Sequence, residues 1–382
     1  MKKTLNKDSK NISYDSYIKR ITDENIPCYE PSVGKEELAN LKEVIESNWL
    51  SEGKFVREFE EKLRILSNRN FSLAFNNCTA ALITGMKSMG IGPGDEVIVQ
   101  SLVHSADPNA IAATGAEPVF SEVNEKTLCL DIDSIKQAMT PNTKAVLHVA
   151  LYGNTSDLDE LECFCKENNL IFINDCAPAL LGSFKNRSIA SYGDFSALSF
   201  FADKTITTGE GGMLLTDMPD LLKEANIYKH DGRKERGVDL IERKGFNYRL
   251  TEMQAAIGVA QLEKINFFIK RKKENFDLYK SLLTNDNVKM FNFNNLEENI
   301  PHRNIIFVPN AKELLEFLSA KGIGARSLFM PMHSQPIFNS DKLFPVTERL
   351  FKTGVCLPSA PSLKNQDIEY VCDNINSFYS SS

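Results

Sequence analysis

The apolar positions of this chain follow two periods in turn. Leu38, Leu41, Val44 and Ile45, then Phe55, Phe59 and Leu63, recur every three or four residues, the spacing that gives a helix one apolar stripe. Asn48-Trp49-Leu50-Ser51-Glu52-Gly53 interrupts them, so the pattern predicts two helices around a loop. From Leu73 onward, short apolar runs of strand length alternate with helical segments. Strands are predicted over residues 73–75, 96–102, 117–123, 144–151, 170–175 and 196–201, with another starting at Gly211; helices begin near Asn77 and span 131–139 and 156–169. Strands separated by helices require crossover connections, and those give an α/β class with a mainly parallel sheet flanked by helices. The pattern then changes. A long helix over 253–283, strand-like segments at 288–293 and 304–308, a helix over 311–320 and a terminal helix from Asp367 predict a smaller α+β unit. The expected organisation is an N-terminal extension over 1–25, a large domain over 26–250 and a small C-terminal domain over 251–382.

At 382 residues the chain is long enough for two domains that share a cleft. A hydrophobic share of 42% and a charged share of 25% are those of a globular protein, and no apolar run approaches the roughly 18 residues of a membrane span. The formal net charge of −7 argues against nucleic acid as a partner, since phosphate backbones call for a basic surface. Residues 1–20 are polar and rich in Lys, Asn and Ser, unlike a secretory leader, and predict a cytoplasmic protein without membrane attachment. Eight scattered cysteines suit reduced core thiols, and Cys163-Phe-Cys165, the one tight pair, is too close and too solitary for zinc; no metal is expected.

Three stretches carry chemistry. The uncharged run over residues 196–201 ends in Ala-Asp-Lys204 and a glycine-rich turn, Gly209-Glu-Gly-Gly212. A lysine where a buried strand runs out is partly desolvated; desolvation lowers its pKa and frees an amine able to form a Schiff base with an aldehyde cofactor, although the same position also suits a solvated surface lysine. Asp175 closes the run Leu-Ile-Phe-Ile-Asn-Asp, at the strand end where open α/β sheets bind ligands; it reads either as the partner of a ring nitrogen or as a helix cap. At Asn77-Cys78-Thr79 a strand turns into a helix whose free N–H groups, with the Thr79 hydroxyl, could cradle a phosphate. Gly90-Ile-Gly-Pro-Gly94 is no dinucleotide fingerprint, because Asp95 follows and the segment precedes a strand.

Taken together, Ser199-Phe-Phe-Ala-Asp-Lys204, Asp175-Cys-Ala, Asn77-Cys78-Thr79 and Gly245-Phe-Asn-Tyr-Arg resemble the motifs of the DegT/DnrJ/EryC1/StrS family of sugar aminotransferases, over roughly residues 26–363. The resemblance implies a type I fold built around pyridoxal 5′-phosphate (PLP), with pyridoxamine 5′-phosphate (PMP) as intermediate. It implies Lys204 as the Schiff-base lysine, Asp175 on the pyridine nitrogen, His104 in the place of an aromatic stacked on the ring, and Ser199, Cys78 and Thr79 around the phosphate. Asn247 would reach the cofactor phosphate of a neighbouring subunit, so a homodimer with shared sites is implied. Trp49 and Ser51, His230, Arg326 and His333 match positions near the substrate; Trp49 also reads as a packing residue and Arg326 as a surface ion pair. Two departures stand out. Cys78 replaces the family's glycine, and Pro178 replaces a polar residue that would face the substrate.

The activity implied is transfer of an amino group from L-glutamate to a keto sugar, a nucleotide-linked 4-keto-6-deoxy sugar for surface polysaccharide. The Pro178 departure leaves a small ketose phosphate, such as dihydroxyacetone phosphate, or a keto-inositol as alternative acceptors. A PMP-dependent sugar dehydratase would carry histidine at the position of Lys204, and a non-catalytic PLP-binding regulator would lack turnover with glutamate.

Overall fold

The computed structural model describes residues 25–235, 237–295, 298–338, 340 and 342–380. The expected extension over 1–25 therefore lies almost wholly outside the described residues. Helices α1 (Lys35–Ser47) and α2 (Lys54–Leu66) flank the loop at Trp49, as their apolar spacing predicts. Seven strands then form one sheet: β1 (Phe71–Phe75), β2 (Glu96–Gln100), β3 (Glu117–Ser121), β4 (Thr143–Val149), β5 (Ile171–Asp175), β8 (Phe195–Ser199) and β9 (Gly212–Thr216). A small hairpin, β6 (Ser183–Phe184) and β7 (Arg187–Ser188), interrupts the series. The helices between strands are α3 (Cys78–Ser88), α4 (Ala106–Thr114), α5 (Ile132–Ala138), α6 (Leu158–Glu167) and α7 (Pro219–Lys229).

The strand order is β1-β9-β8-β5-β4-β2-β3. Strand β9 runs antiparallel to both its neighbours, β8 and β1, and the other pairings are parallel. The mainly parallel sheet is the one the alternating pattern predicts. The central strands β5, β8 and β9 are buried almost throughout, so they carry little of the in–out alternation of a one-sided strand. One core cluster joins Val146, Phe172 and Leu198 to α2, α5 and α6, and the other joins Val97, Leu147 and Ala197 to α3, α4 and α7.

The expected single helix over 253–283 is two, α8 (Glu252–Glu263) and α9 (Ile265–Leu282), which meet at Lys264. Lys264 is buried and its Nζ lies 2.5 Å from Glu37 of α1. Periodicity registers no such break, because the apolar stripe continues across it. Beyond α9 come β10 (Lys289–Met290), β11 (Asn304–Phe307), α10 (Ala311–Ala320), β12 (Arg326–Ser327), α11 (Pro345–Thr353), β13 (Gly354–Leu357) and α12 (Asn365–Ser380). The second sheet, β10-β11-β13-β12, is antiparallel. An aromatic-rich cluster of Leu102, Leu151 and Tyr152 with Phe276, Phe291 and Ile305 welds it to the loops at the carboxyl ends of β2 and β4. Among the described residues no helix is long and apolar enough to cross a membrane.

Buried Arg69 holds the opposite end of the large sheet in register. It donates to the carbonyls of Ala190 (2.8 Å), Tyr192 (2.6 Å) and Gly193 (2.9 Å) just before β8, and to Asp217 (2.9 Å) just after β9. Replacing it by Met leaves buried acceptors without donors, so Arg69→Met should lose about 2–4 kcal/mol of unfolding free energy, read from the urea midpoint at unchanged m value.

Candidate active site

The carboxyl ends of the parallel strands open onto a cavity of about 330 Å³. It is lined from β1 and α3 by Asn77, Cys78 and Thr79, and from the loop after β2 and the first turn of α4 by His104 and Asp107. Strand β4 and its following turn add Val149, Leu151 and Tyr152; β5 adds Asp175, Ala177 and Pro178; β8 and the loop after it add Ser199, Phe201, Asp203, Lys204 and Glu210. Tyr29, His302, Arg326 and Phe329 close it from the first segment and the second sheet. Eight residues singled out from the sequence thus meet in one space: Cys78, Thr79, His104, Asp175, Pro178, Ser199, Lys204 and Arg326.

Each has a local reason for its place. Asn77 caps α3 by accepting the Ala80 N–H (2.8 Å), which leaves the N–H groups of the first turn pointing outward. The Cys78 side chain is buried in the sheet's hydrophobic cluster, so cysteine in place of glycine does not remove the helix N-terminus from the cavity. The thiol itself is inert: burial first, then the charge of Asp175, pushes it well above the ordinary range. Gly212 begins β9 between Phe75 and Ser199, and a Cβ there would stand 2.4–2.6 Å from the backbone of Asn77 and Cys78. Only glycine lets β9 pass that close to the cradle.

Asp175 ends β5, 4% exposed, and accepts the Ala177 N–H at 2.7 Å. Lys204 follows β8 in a turn, its side chain 18% exposed, with Nζ 3.7 Å from Asp203. His104 sits at the rim, exposed, its ring edge-on to Phe329 at 5.3 Å. Its Nδ1 accepts the Ala106 N–H (3.1 Å), which leaves Nε2 as the protonated nitrogen of the neutral ring. Desolvation and then the Lys204 charge hold the imidazole below its usual value.

A charged floor lies under the lysine that no sequence motif announces. Arg303 donates to Asp203 Oδ2, and His302 Nε2 stands 3.9 Å from the same oxygen. Burial, then Arg303 and Lys204, keeps His302 well below the usual histidine range. Lys272 of α9 touches the carbonyls of His302 and Ser359 at 3.4 and 3.3 Å, and burial with the Arg303 charge lowers it to about 7. Above the floor, Tyr152 stacks on Phe329 at 5.5 Å, and the exposed Arg326 lies over the same ring at 5.0 Å. Asp203 adjoins Lys204 in the chain and was open to view. Tyr29, Asp107, Tyr152, His302 and Phe329 carry no local signal that ties them to the cavity.

Trp49, Ser51, His230, Asn247 and His333 lie outside this cavity within one chain. Trp49 is 59% exposed, its Nε1 donating to the Glu52 carbonyl at 2.9 Å. Ser51 and His230 share a second cleft with Arg233 and Arg249. Asn247 is exposed and bridges to His230 in the loop before α8. His333 is buried, 2.6 Å from the Ser101 hydroxyl.

Residues 31–376 match the DegT/DnrJ/EryC1/StrS aminotransferase family. The chain belongs to that family and is an aminotransferase. It is 36% identical over 372 residues to the GDP-perosamine synthase of Escherichia coli O157:H7, covering 93% of this chain and 99% of that one. It is 31% identical to the spore coat polysaccharide biosynthesis protein SpsC of Bacillus subtilis (strain 168), covering 92% and 96%. Among solved structures it superposes on DesI, crystallised in the presence of its TDP-sugar product, with TM-score 0.87 and 28% identity over 93% of each chain. The type I fold expected from the motifs is the fold observed, and the family's cofactor is pyridoxal 5′-phosphate.

The loop at Trp49 supplies a sharper electrostatic observation. Buried Glu52 sits 2.6 Å from Lys229 Nζ and 2.7 Å from His230 Nε2, and Lys229 also donates to the Ala74 carbonyl (3.1 Å) in β1. Although burial works the other way, its bonds to His230 and Lys229 hold the carboxyl down at about 2. A depressed acid contributes stability above its unfolded value, near 4.5, and loses it as pH falls toward 2. Glu52→Gln leaves Lys229 buried and uncompensated, a loss of about 3–5 kcal/mol at neutral pH. The gap between wild type and variant should narrow steadily below pH 5 in urea titrations.

Proposed function

We propose that this aminotransferase moves the amino group of L-glutamate to a nucleotide-linked 4-keto-6-deoxy sugar destined for surface polysaccharide, acting as a cytoplasmic homodimer. The observation that carries the reading is that the Lys204 amine and the Asp175 carboxylate line one cavity with the N-terminus of α3. These residues fit the cofactor: a helix N-terminus with the Thr79 and Ser199 hydroxyls for the phosphate, Asp175 for the ring nitrogen, Lys204 for the aldehyde carbon. Pyridoxal phosphate, when bound, supplies an aldehyde that takes up the donor's amine and a ring that withdraws electrons from the adjacent carbon.

The chain's own residues do the rest. Asp175 keeps a proton on the ring nitrogen, which makes the ring an electron sink. The Lys204 amine carries the proton between the substrate carbon and the cofactor carbon; Asp203, 3.7 Å away and held by Arg303, keeps that amine near the reacting atoms. His104, at the rim against Phe329, would lie along one face of the ring. Arg326, exposed at the mouth, offers a planar fork to a phosphate or carboxylate. The relatives named as GDP-perosamine synthase and spore coat polysaccharide protein, and the TDP-sugar product in whose presence DesI was crystallised, support a nucleotide-sugar acceptor and a polysaccharide product.

Asn247 stands exposed on its loop, free to reach a second subunit, and Trp49, Leu50, Leu240 and Ile241 present exposed apolar surface for that subunit to cover. One observation favours a second acceptor class. Pro178 is buried in the cavity wall and offers no side-chain hydrogen bond, which suits a small ketose phosphate.

The test loads the protein with PMP and measures return to PLP absorbance with nucleotide-linked keto sugars and with dihydroxyacetone phosphate. Turnover of the former and none of the latter is expected; the reverse would move the substrate to the ketose phosphate class. Lys204→Ala should lower turnover by about 10²–10⁴-fold or more while leaving the fold intact by circular dichroism.

A further inference from the structure

Asp107 is a fully buried carboxyl of the cavity that the proposed reaction leaves without a task. It lies in the first turn of α4, is 1% exposed, and lines the cavity beside Asp175. No N–H or O–H reaches its Oδ1, yet its side chain is within hydrogen-bonding reach of the Asp175 carboxyl. Two buried carboxyls in contact cannot both ionise, so one keeps a proton and donates it to the other. Asp175 already accepts a backbone N–H from Ala177 at 2.7 Å; Asp107 takes one from its own backbone, but its Oδ1 is buried without a donor. The proton therefore rests on Asp107. Burial first and the Asp175 charge second raise its carboxyl well above the usual range, and the charge of Lys204 from the β8 loop offsets this only in part. The other titratable groups on that side are the buried Cys78 thiol of α3, the Cys176 thiol after β5 and the neutral His104 after β2.

We infer that Asp107 is a positioning residue: its carboxylic acid donates a hydrogen bond to one oxygen of Asp175 and so fixes the other oxygen toward the ring nitrogen of the cofactor. The inference rests on Asp175 as the partner of that nitrogen. A donor behind Asp175 holds its carboxyl in one orientation before the cofactor arrives, and no cation has to be buried to do so.

Two measurements decide it. The first uses the cofactor-free protein, whose melting temperature is followed from pH 5 to 8 for wild type and Asp107→Asn. A folded-state carboxyl that keeps its proton loses stability as pH rises, since the unfolded chain ionises near 4 and unfolding releases one proton. The asparagine variant lacks that release, so its melting temperature should gain on wild type with each pH unit; a gap that stays constant with pH overturns the inference. The second is PLP affinity by absorbance titration. Asp107→Ala should weaken binding about tenfold or more, the loss of one charge-assisted hydrogen bond, and Asp107→Asn, which keeps a donor, should restore most of it. Wild-type affinity in Asp107→Ala overturns the positioning role. Asp175→Ala separates the two levels: if it too binds PLP like wild type, the reading of Asp175 fails; if it alone loses binding, only the role of Asp107 does. Should Asp107→Ala not fold, the pH dependence of Asp107→Asn carries the decision.

Discussion

A row of three residues, Phe75, Gly212 and Ser199, lies side by side across β1, β9 and β8, and the geometry of the cavity follows from that alignment. Phe75 is three residues from the start of α3, and Ser199 is five residues before Lys204. Fixing the register of three strands therefore fixes where the N-terminus of α3 stands relative to the loop that carries Lys204. The constraint is steric. A reversed strand lies between two parallel ones, and its first residue passes so close to Asn77 and Cys78 that any side chain would collide. At the far end of the same strands Arg69 binds carbonyls before β8 and the carboxylate after β9, so the register is held at both ends.

Burial sorts the charges that this scaffold collects. At the Asp175 end burial and the Asp175 charge push the Asp107 carboxyl well above the usual range; at the Lys204 end Asp203 is matched by Arg303, with burial holding His302 well below the usual histidine range. In a low-dielectric space each arrangement is the one that avoids an unpaired ion. The second sheet supplies the Lys204 end through His302 and Arg303 at the start of β11 and Arg326 in β12, and the aromatic cluster around Tyr152 and Phe291 holds that sheet over the strand ends.

The order of strands and helices, and the chemistry-bearing strand ends, were legible in the chain because both are local. Period-two and period-3.6 patterns depend only on neighbours in sequence, and Lys204, Asp175 and the Asn77-Cys78-Thr79 turn each sit where such a pattern stops. Pairing direction was not local: β9 reads like any other buried strand, and only its place between β8 and β1 makes it run backward. The break at Lys264 was hidden for the same reason, since the ion pair to Glu37 joins residues more than two hundred positions apart.

What the sequence by itself determined is the α/β class, the family and the strand ends at which Asp175 and Lys204 stand. What only the tertiary structure decided is their company. Asp107 stands in an unremarked first turn of α4, and His302 and Arg303 come from the second sheet, yet burial presses the first against Asp175 and brings the others beside Lys204. Electrostatic partnership depends on distance through space and on the exclusion of water, and neither quantity is written in the spacing of residues along a chain.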